Sequence, residues 1–193
     1  MANVFAIHSV CQSIAAYLQG SYPASVAELP MPPCSFEVLS SSQLAGPLDD
    51  ASRIGIYLYR TSPVEGGPMR LPPTLEPGGG ARRALLQLNL HFLVFPCSRS
   101  AQDEQVTLAW TLRQLHLHPI LDMATLTAEA AWAADEVVQV TPDTLPMQDM
   151  LHIWRALGAP YRLSAAYTAR AVRLHADAQA EPLPVVVPVL GPR

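Results

Sequence analysis

Apolar residues recur along the first segment of the chain at Val4, Ile7, Cys11, Ile14 and Leu18. Spacings of three and four put them on one stripe, which predicts an amphipathic helix over residues 3–19, closed by Gly20 and Pro23. A Pro- and Ser-rich connector follows, with a short strand expected at 35–39. The period then changes. In "RIGIYLYR", residues 53–60, Ile54, Ile56 and Leu58 take one face and Tyr57 and Tyr59 the other, the alternation of a strand. "LLQLNLHFLVF", residues 85–95, repeats it: Leu86, Leu88, Leu90, Phe92 and Val94 against Gln87, Asn89 and His91, with Pro96 expected to stop the strand. A second helix is predicted over 101–117. Val106, Trp110, Arg113 and Leu117 run along one side of it, and Leu108, Leu112 and Leu115 widen its apolar face. "HPIL" should end it, because a proline disfavours helix at the residue before it. A short strand at 136–140 leads to a third helix with Met147, Met150, Leu151, Trp154 and Gly158 on one face.

The last predicted element runs from Tyr161 to Leu174. Its odd positions (Tyr161, Leu163, Ala165, Tyr167, Ala169, Ala171) are apolar, and its even ones begin Arg162, Ser164, Ala166, Thr168, Arg170. Fourteen extended residues would reach about 45 Å, so the strand should cross the sheet, bend or project. Its small residues leave room for a bulky partner on the apolar face, and Trp154 is expected there, near Tyr167 or Ala165. The order helix, strands, helix, strand, helix, strand implies an α+β fold: a mixed, mainly antiparallel sheet with long strands packed by about three helices.

Length and composition narrow the picture. The chain has 193 residues, enough for one domain, expected over 1–175 with a Pro-rich C-terminal arm over 176–193. Half of the residues are hydrophobic and 15% are charged, a globular balance. Between the two best strands, residues 61–84 are too rich in Pro and Gly for regular structure and are expected to form an exposed loop. The net charge is −4, lysine is absent, and the longest basic run is Arg82-Arg83, which argues against a nucleic-acid binder. "MANVFAIHSV" lacks the pattern of a secretory signal, and no stretch is long and apolar enough for a membrane span, so a soluble protein made in the cytosol is expected.

Candidate chemistry is sparse. Cys11, Cys34 and Cys97 form no CxxC and read as free thiols. His116, His118 and Asp122 lie close in sequence, but two histidines two apart do not share a helix face. His91 falls on the polar face of its strand. The acidic pairs Asp49-Asp50 and Asp135-Glu136 read as solubilising turn and edge positions, since adjacent carboxylates in extended chain point apart. "GGG" at 78–80 lacks the Lys-Ser/Thr and helix start of a phosphate loop. No catalytic residue, metal site or cofactor is expected.

Three stretches carry a resemblance: "LQLNLHFLVFP", "LHPIL" and "LHIWRALGAPYRLSAAYTARAV". In this order and spacing they resemble the N-terminal domain of the cap proteins of extracellular contractile injection systems. The most specific part is carried by Leu151, Trp154, Leu157, Tyr161, Arg162, Ser164, Tyr167 and Arg170. The resemblance spans residues 3–175 and leaves out 61–80 and 181–193. It implies a tail-terminator-like fold and a structural protein forming a six-fold ring that closes tube and sheath. The implied partners are further copies of the chain, sheath protein and tube protein, with no nucleic acid and no membrane. The implied location is the bacterial cytoplasm during assembly, and then the particle. The alternatives are a related adaptor of such a particle, or a small metal-dependent hydrolase using His91, His116 or Asp122. Arg162 and Arg170 are expected to pair with carboxylates of this or an adjacent subunit. Val185, Val186, Val187, Val189 and Leu190, set among Pro182, Pro184 and Pro188, are expected to form an arm that lies along a neighbour.

Overall fold

The computed structural model describes residues 2–46, 52–64 and 85–175. The sections 65–84 and 176–193, with the expected loop and arm, lie outside them, as do Asp49 and Asp50. In chain order the elements are α1 (Ala6–Ser21), β1 (Ser25–Val26), β2 (Leu29–Pro30), β3 (Ser35–Val38), α2 (Ser41–Ala45), β4 (Arg53–Pro63), β5 (Leu85–Cys97), α3 (Ala101–Leu117), β6 (Ile120–Leu121), β7 (Val138–Pro142), α4 (Met147–Ala156) and β8 (Ala165–His175). Six strands form one sheet in the order β3-β4-β5-β8-β7-β6, while β1 and β2 make a separate hairpin. Only β3 and β4 run parallel; the other pairs are antiparallel. The fold is the expected mixed, mainly antiparallel α+β layer.

Both faces of the sheet are covered. Leu90, Phe92 and Val94 of β5 join α1 and α3 in one core with Ile14, Leu18, Trp110 and Tyr167. The next residues over, Leu93, Phe95 and Cys97, join Leu44 of α2 and Met150 and Trp154 of α4 in a second core. A strand buried on both faces reads as a continuous apolar run, and "FLVFPC" is one. Pro96 therefore does not stop β5. It pairs with Ile54 of β4, and β8 begins only opposite Val94, so the missing N–H falls where β5 has a single neighbour.

Several other boundaries move for local reasons. α1 starts after Phe5, because Asn3 is held by Ala130 and its Oδ1 accepts the Phe5 N–H at 2.8 Å. Val4 is consequently 72% exposed and not part of the stripe, and the buried face is widened by Ala6, Ser9, Val10, Ser13 and Ala15. β4 continues to Pro63, so the expected loop begins later than residue 61. On α3 the buried side is Thr107, Leu108, Trp110, Thr111 and Leu115; Arg113 and Leu117 face out. α2 was not legible from periodicity, but "SSSQ" carries its start: Ser40 and Gln43 form a reciprocal capping box. α4 ends in a Schellman motif. Gly158 takes φ +69°, its N–H reaches Arg155 O, and Ala159 N–H reaches Trp154 O.

The closing strand is shorter than its pattern suggested, and residues 161–164 precede it as irregular chain. It also bends. Leu88 pairs with Val172 and Leu90 with Ala169, so β8 carries one extra residue there. Ala171 takes φ +55° and donates its N–H to Asn89 Oδ1. The bulge reverses the alternation: Ala169 and Val172 both enter the first core, and Ala171 is exposed. The even positions before the bulge are not a solvated polar face. Ala166 and Thr168 are buried, Ala166 beneath α4.

Candidate functional site

The signature residues divide between structure and surface. Trp154 is 1% exposed and meets Phe95 edge-on at 5.0 Å. It lies in the second core, against Ala166, on the opposite side of the sheet from the one expected. Its Nε1 donates to Ser164 Oγ at 3.1 Å, and Ser164 Oγ donates to Arg162 O at 2.8 Å, which ties the α4–β8 connection to the helix. Leu157 is buried in the same core. Tyr167 points the other way and stacks on Phe92 at 6.0 Å. Thus Trp154 covers β8 on one face, and Tyr167 anchors the strand in the core on the other.

Leu151, Tyr161 and Arg170 are exposed. With Met147 and Leu163 they leave apolar surface open along α4 and the chain that follows it. Arg170 donates from Nε to Thr141 Oγ1 at 3.1 Å. Among the described residues neither Arg162 nor Arg170 is within ion-pair distance of a carboxylate, and the buried Nε of Arg162 meets no acceptor there. Val185, Val186, Val187, Val189 and Leu190 lie outside the described residues.

One polar cluster does converge. Ser62 Oγ lies 2.9 Å from His91 Nε2, and His91 Nδ1 lies 3.2 Å from Asp143 Oδ2. Thr168 Oγ1 donates to Asp143 Oδ2 at 2.9 Å and sits 3.0 Å from His91 Nδ1. Burial pushes the Asp143 carboxyl up, but the hydrogen bonds from Thr168 and His91, with the charge of His91, outweigh it and hold the group below its ordinary range. The four side chains join β4, β5 and β8 to the start of the β7–α4 connection. They stitch strands where the sheet's side chains are polar, the partner that His91 required of its strand position.

The remaining candidates are structural. His118 lies edge-on to Tyr17 at 5.8 Å, and Asp122 Oδ1 accepts the Ala124 N–H in its own turn. Among the described residues no three His, Cys, Asp or Glu side chains come together as a metal would need. Burial raises the thiol pKa of Cys11 and of Cys34 to about 11, the opposite of an activated nucleophile. Glu136 is buried rather than solubilising, and accepts the Ala133 N–H at 3.1 Å. None of the described helices is long and apolar enough to cross a membrane.

A groove of about 640 Å³ was not anticipated from the sequence. The β1–β2 hairpin forms one wall and α3 the other, with Val26, Leu29, Met31, Val106 and Trp110 supplying its apolar lining. Ala27 and Glu28 at the hairpin tip have φ of +49° and +67°. Two adjacent non-glycine residues in this region carry backbone strain, so the wall is held in a costly shape. The outer side of α3, Val106 and Arg113 included, faces this groove.

A bulged, mostly antiparallel mixed sheet with helices on both faces is a tail-terminator-like fold. The chain belongs to the Pvc16 N-terminal domain family, whose model matches residues 9–187. That span runs past residue 175 and takes in part of the Pro- and Val-rich segment left outside the resemblance. Two structures determined by cryo-electron microscopy are similar in fold. One is the sheath/tube terminator, in its extended state, of the extracellular contractile injection system PVC. It has a TM-score of 0.57 and 15% identity, over 97% of this chain and 64% of that one. The other is the tube-terminating cap of the anti-feeding prophage, with a TM-score of 0.56 and 15% identity, over 100% of this chain and 61% of that one. The chain thus spans somewhat less than two thirds of the length of these relatives. No curated protein sequence matches it.

Proposed function

We propose that the chain is a structural cap protein that forms a homo-hexameric ring and terminates the tube and sheath of a contractile injection system. The observation that carries this reading is the family match over residues 9–187, on a fold shared along nearly the whole chain with two terminators of such particles. The exposed apolar positions on α4 and the connection after it, and Arg162, whose Nε meets no acceptor among the described residues, suit a domain that meets other chains. A ring needs two different surfaces that meet head to tail. On this reading Arg162 and Arg170 pair with carboxylates of adjacent subunits, and the 176–193 arm lies along a neighbour. Assembly takes place in the bacterial cytoplasm, and the protein then stays with the particle. It catalyses nothing. An adaptor role elsewhere in the particle is the second reading, since the same fold with other neighbours would serve it.

The test is co-expression of the chain with its sheath and tube proteins, followed by negative-stain imaging. Six-fold rings at one end of tube and sheath are expected. Deleting residues 181–193 should leave a folded, soluble domain that caps poorly. Particles capped normally by the shortened chain would remove the arm from the mechanism, and rings at the baseplate end would favour the adaptor.

A further inference from the structure

We propose that the groove between the β1–β2 hairpin and α3 receives the Pro- and Val-rich segment 182–190 of a neighbouring copy. This rests on the ring reading above and gives it a specific contact. The segment reads "PLPVVVPVL". Pro182, Pro184 and Pro188 forbid helix and favour the extended polyproline conformation, whose carbonyls have no partner within the segment. Such segments dock in grooves lined by aromatic and proline side chains, with a few donors for the carbonyls. The groove has that chemistry. Trp110 forms its floor, Pro30 and Pro32 stand on one wall with Leu29, and Gln102 and Arg113 lie at either end of the other.

The dimensions agree. From Gln102 to Arg113 the helix rises about 16 Å at 1.5 Å per residue. A polyproline segment advances about 3.1 Å per residue, so the groove holds about five residues, the length of Pro184–Pro188. Both partners are apolar: Leu29 is 70% exposed and Val106 is 36% exposed among the described residues, and the segment is nearly all valine, leucine and proline by sequence. The antiparallel pairing of β1 with β2, and the Met31 N–H bonded to Ala24 O at 2.9 Å, keep the wall in place without an occupant.

The segment and the helix that walls the groove start from opposite ends of β5. β8 ends at His175 opposite Leu85, the first residue of β5, and α3 begins just beyond Cys97 at the other end of that strand. Twelve strand steps separate these ends by about 40 Å. The nine residues from His175 to Pro184 reach about 30 Å at full stretch. The segment and the groove are two different surfaces, the kind of head-to-tail contact from which a ring is built.

The full-length chain with p-benzoylphenylalanine in place of Val186 tests this. It is prepared as an equal mixture of unlabelled and 15N-labelled protein, irradiated, and mapped by mass spectrometry. Mixed-isotope crosslinks from the segment around 186 to peptides 26–32 or 102–113 are expected. Val106→Glu and Leu29→Glu, on opposite walls, should each lower their yield at least tenfold while the melting temperature holds. Crosslinks confined to one isotope, crosslinks to another surface, or crosslinks that appear only on added sheath protein overturn the proposal. Light scattering and negative stain read ring formation separately. Rings whose segment crosslinks elsewhere sink the groove contact and leave the ring standing; a chain that stays monomeric sinks both.

Discussion

On one face of the sheet, α1 and α3 lie over Leu90, Phe92, Val94 and Tyr167, and the core there draws on nearly every element of the domain. On the other face a smaller core forms where α4 and α2 meet Leu93, Phe95 and Ala166. The large core is closed at its rim by polar side chains. Ser9 Oγ accepts the Trp132 Nε1 proton at 2.9 Å, and Ser13 Oγ accepts the Thr127 N–H at 2.8 Å. These bonds pin the long connection between β6 and β7 onto α1. The small core depends on shape instead. Gly55 faces Phe95, and a Cβ there would fall on the phenyl ring and within 2.9 Å of Leu39 Cδ1. The difference shows where the residues of the resemblance fall: Trp154 and Leu157 hold α4 on the small face, Tyr167 enters the large core, and Leu151 is left exposed on α4.

Four measurements break or sharpen this contrast. Trp154→Ala should have the largest effect, destabilising by about 3–5 kcal/mol in denaturant unfolding, because the small core has no second aromatic on α4 to close the gap. A loss below about 1 kcal/mol, the level of an ordinary surface change, would mean that α4 is not anchored by it. Gly55→Ala should cost about 1–3 kcal/mol through overpacking against a fully buried ring. An unchanged melting curve would show that the small core yields where the contrast says that it cannot.

Acid comes next. The Asp143 carboxyl titrates below its ordinary range in the folded state, so it contributes stability above the unfolded value that is lost as pH falls through the folded one. Asp143→Asn should therefore flatten the acid limb of stability below about pH 4, the ordinary aspartate range, and change little near neutrality. An identical acid limb in the variant would remove Asp143 from the ledger of strand-stitching groups. The smallest effect on the fold is expected from replacing Arg162 and Arg170 together by Ser. Stability should move by about 0.5 kcal/mol or less per site, while ring or sheath assembly weakens. Particles that assemble unchanged would return both side chains to the solvent.

Much of the layered fold was legible because its signals are local. α3 occupies the predicted residues, and α1 and β5 differ only at their ends, since period, caps and prolines act within a few residues. Gly158, in the left-handed turn that closes α4, is a local stop signal, and "SSSQ" could have marked α2. The candidate polar cluster was half legible: His91 stood on a polar strand face and needed a partner. That the partners are Ser62, Asp143 and Thr168 depends on strand pairing across 29 to 77 residues of chain, which no local pattern encodes.

The sequence by itself determined the three long helices and the main strands of the sheet, the α+β class and the family. The tertiary structure decided which face each residue serves. Alternation says that Ala165, Tyr167 and Ala169 share a side, but not that a bulge at Ala171 reverses the count or that α4 covers the even side. It also decided that the outward side of α3 is a groove wall, because only the strained β1–β2 hairpin standing opposite makes it one. Periodicity reports the face of one element against water; burial and site formation depend on the second element that arrives from elsewhere in the chain.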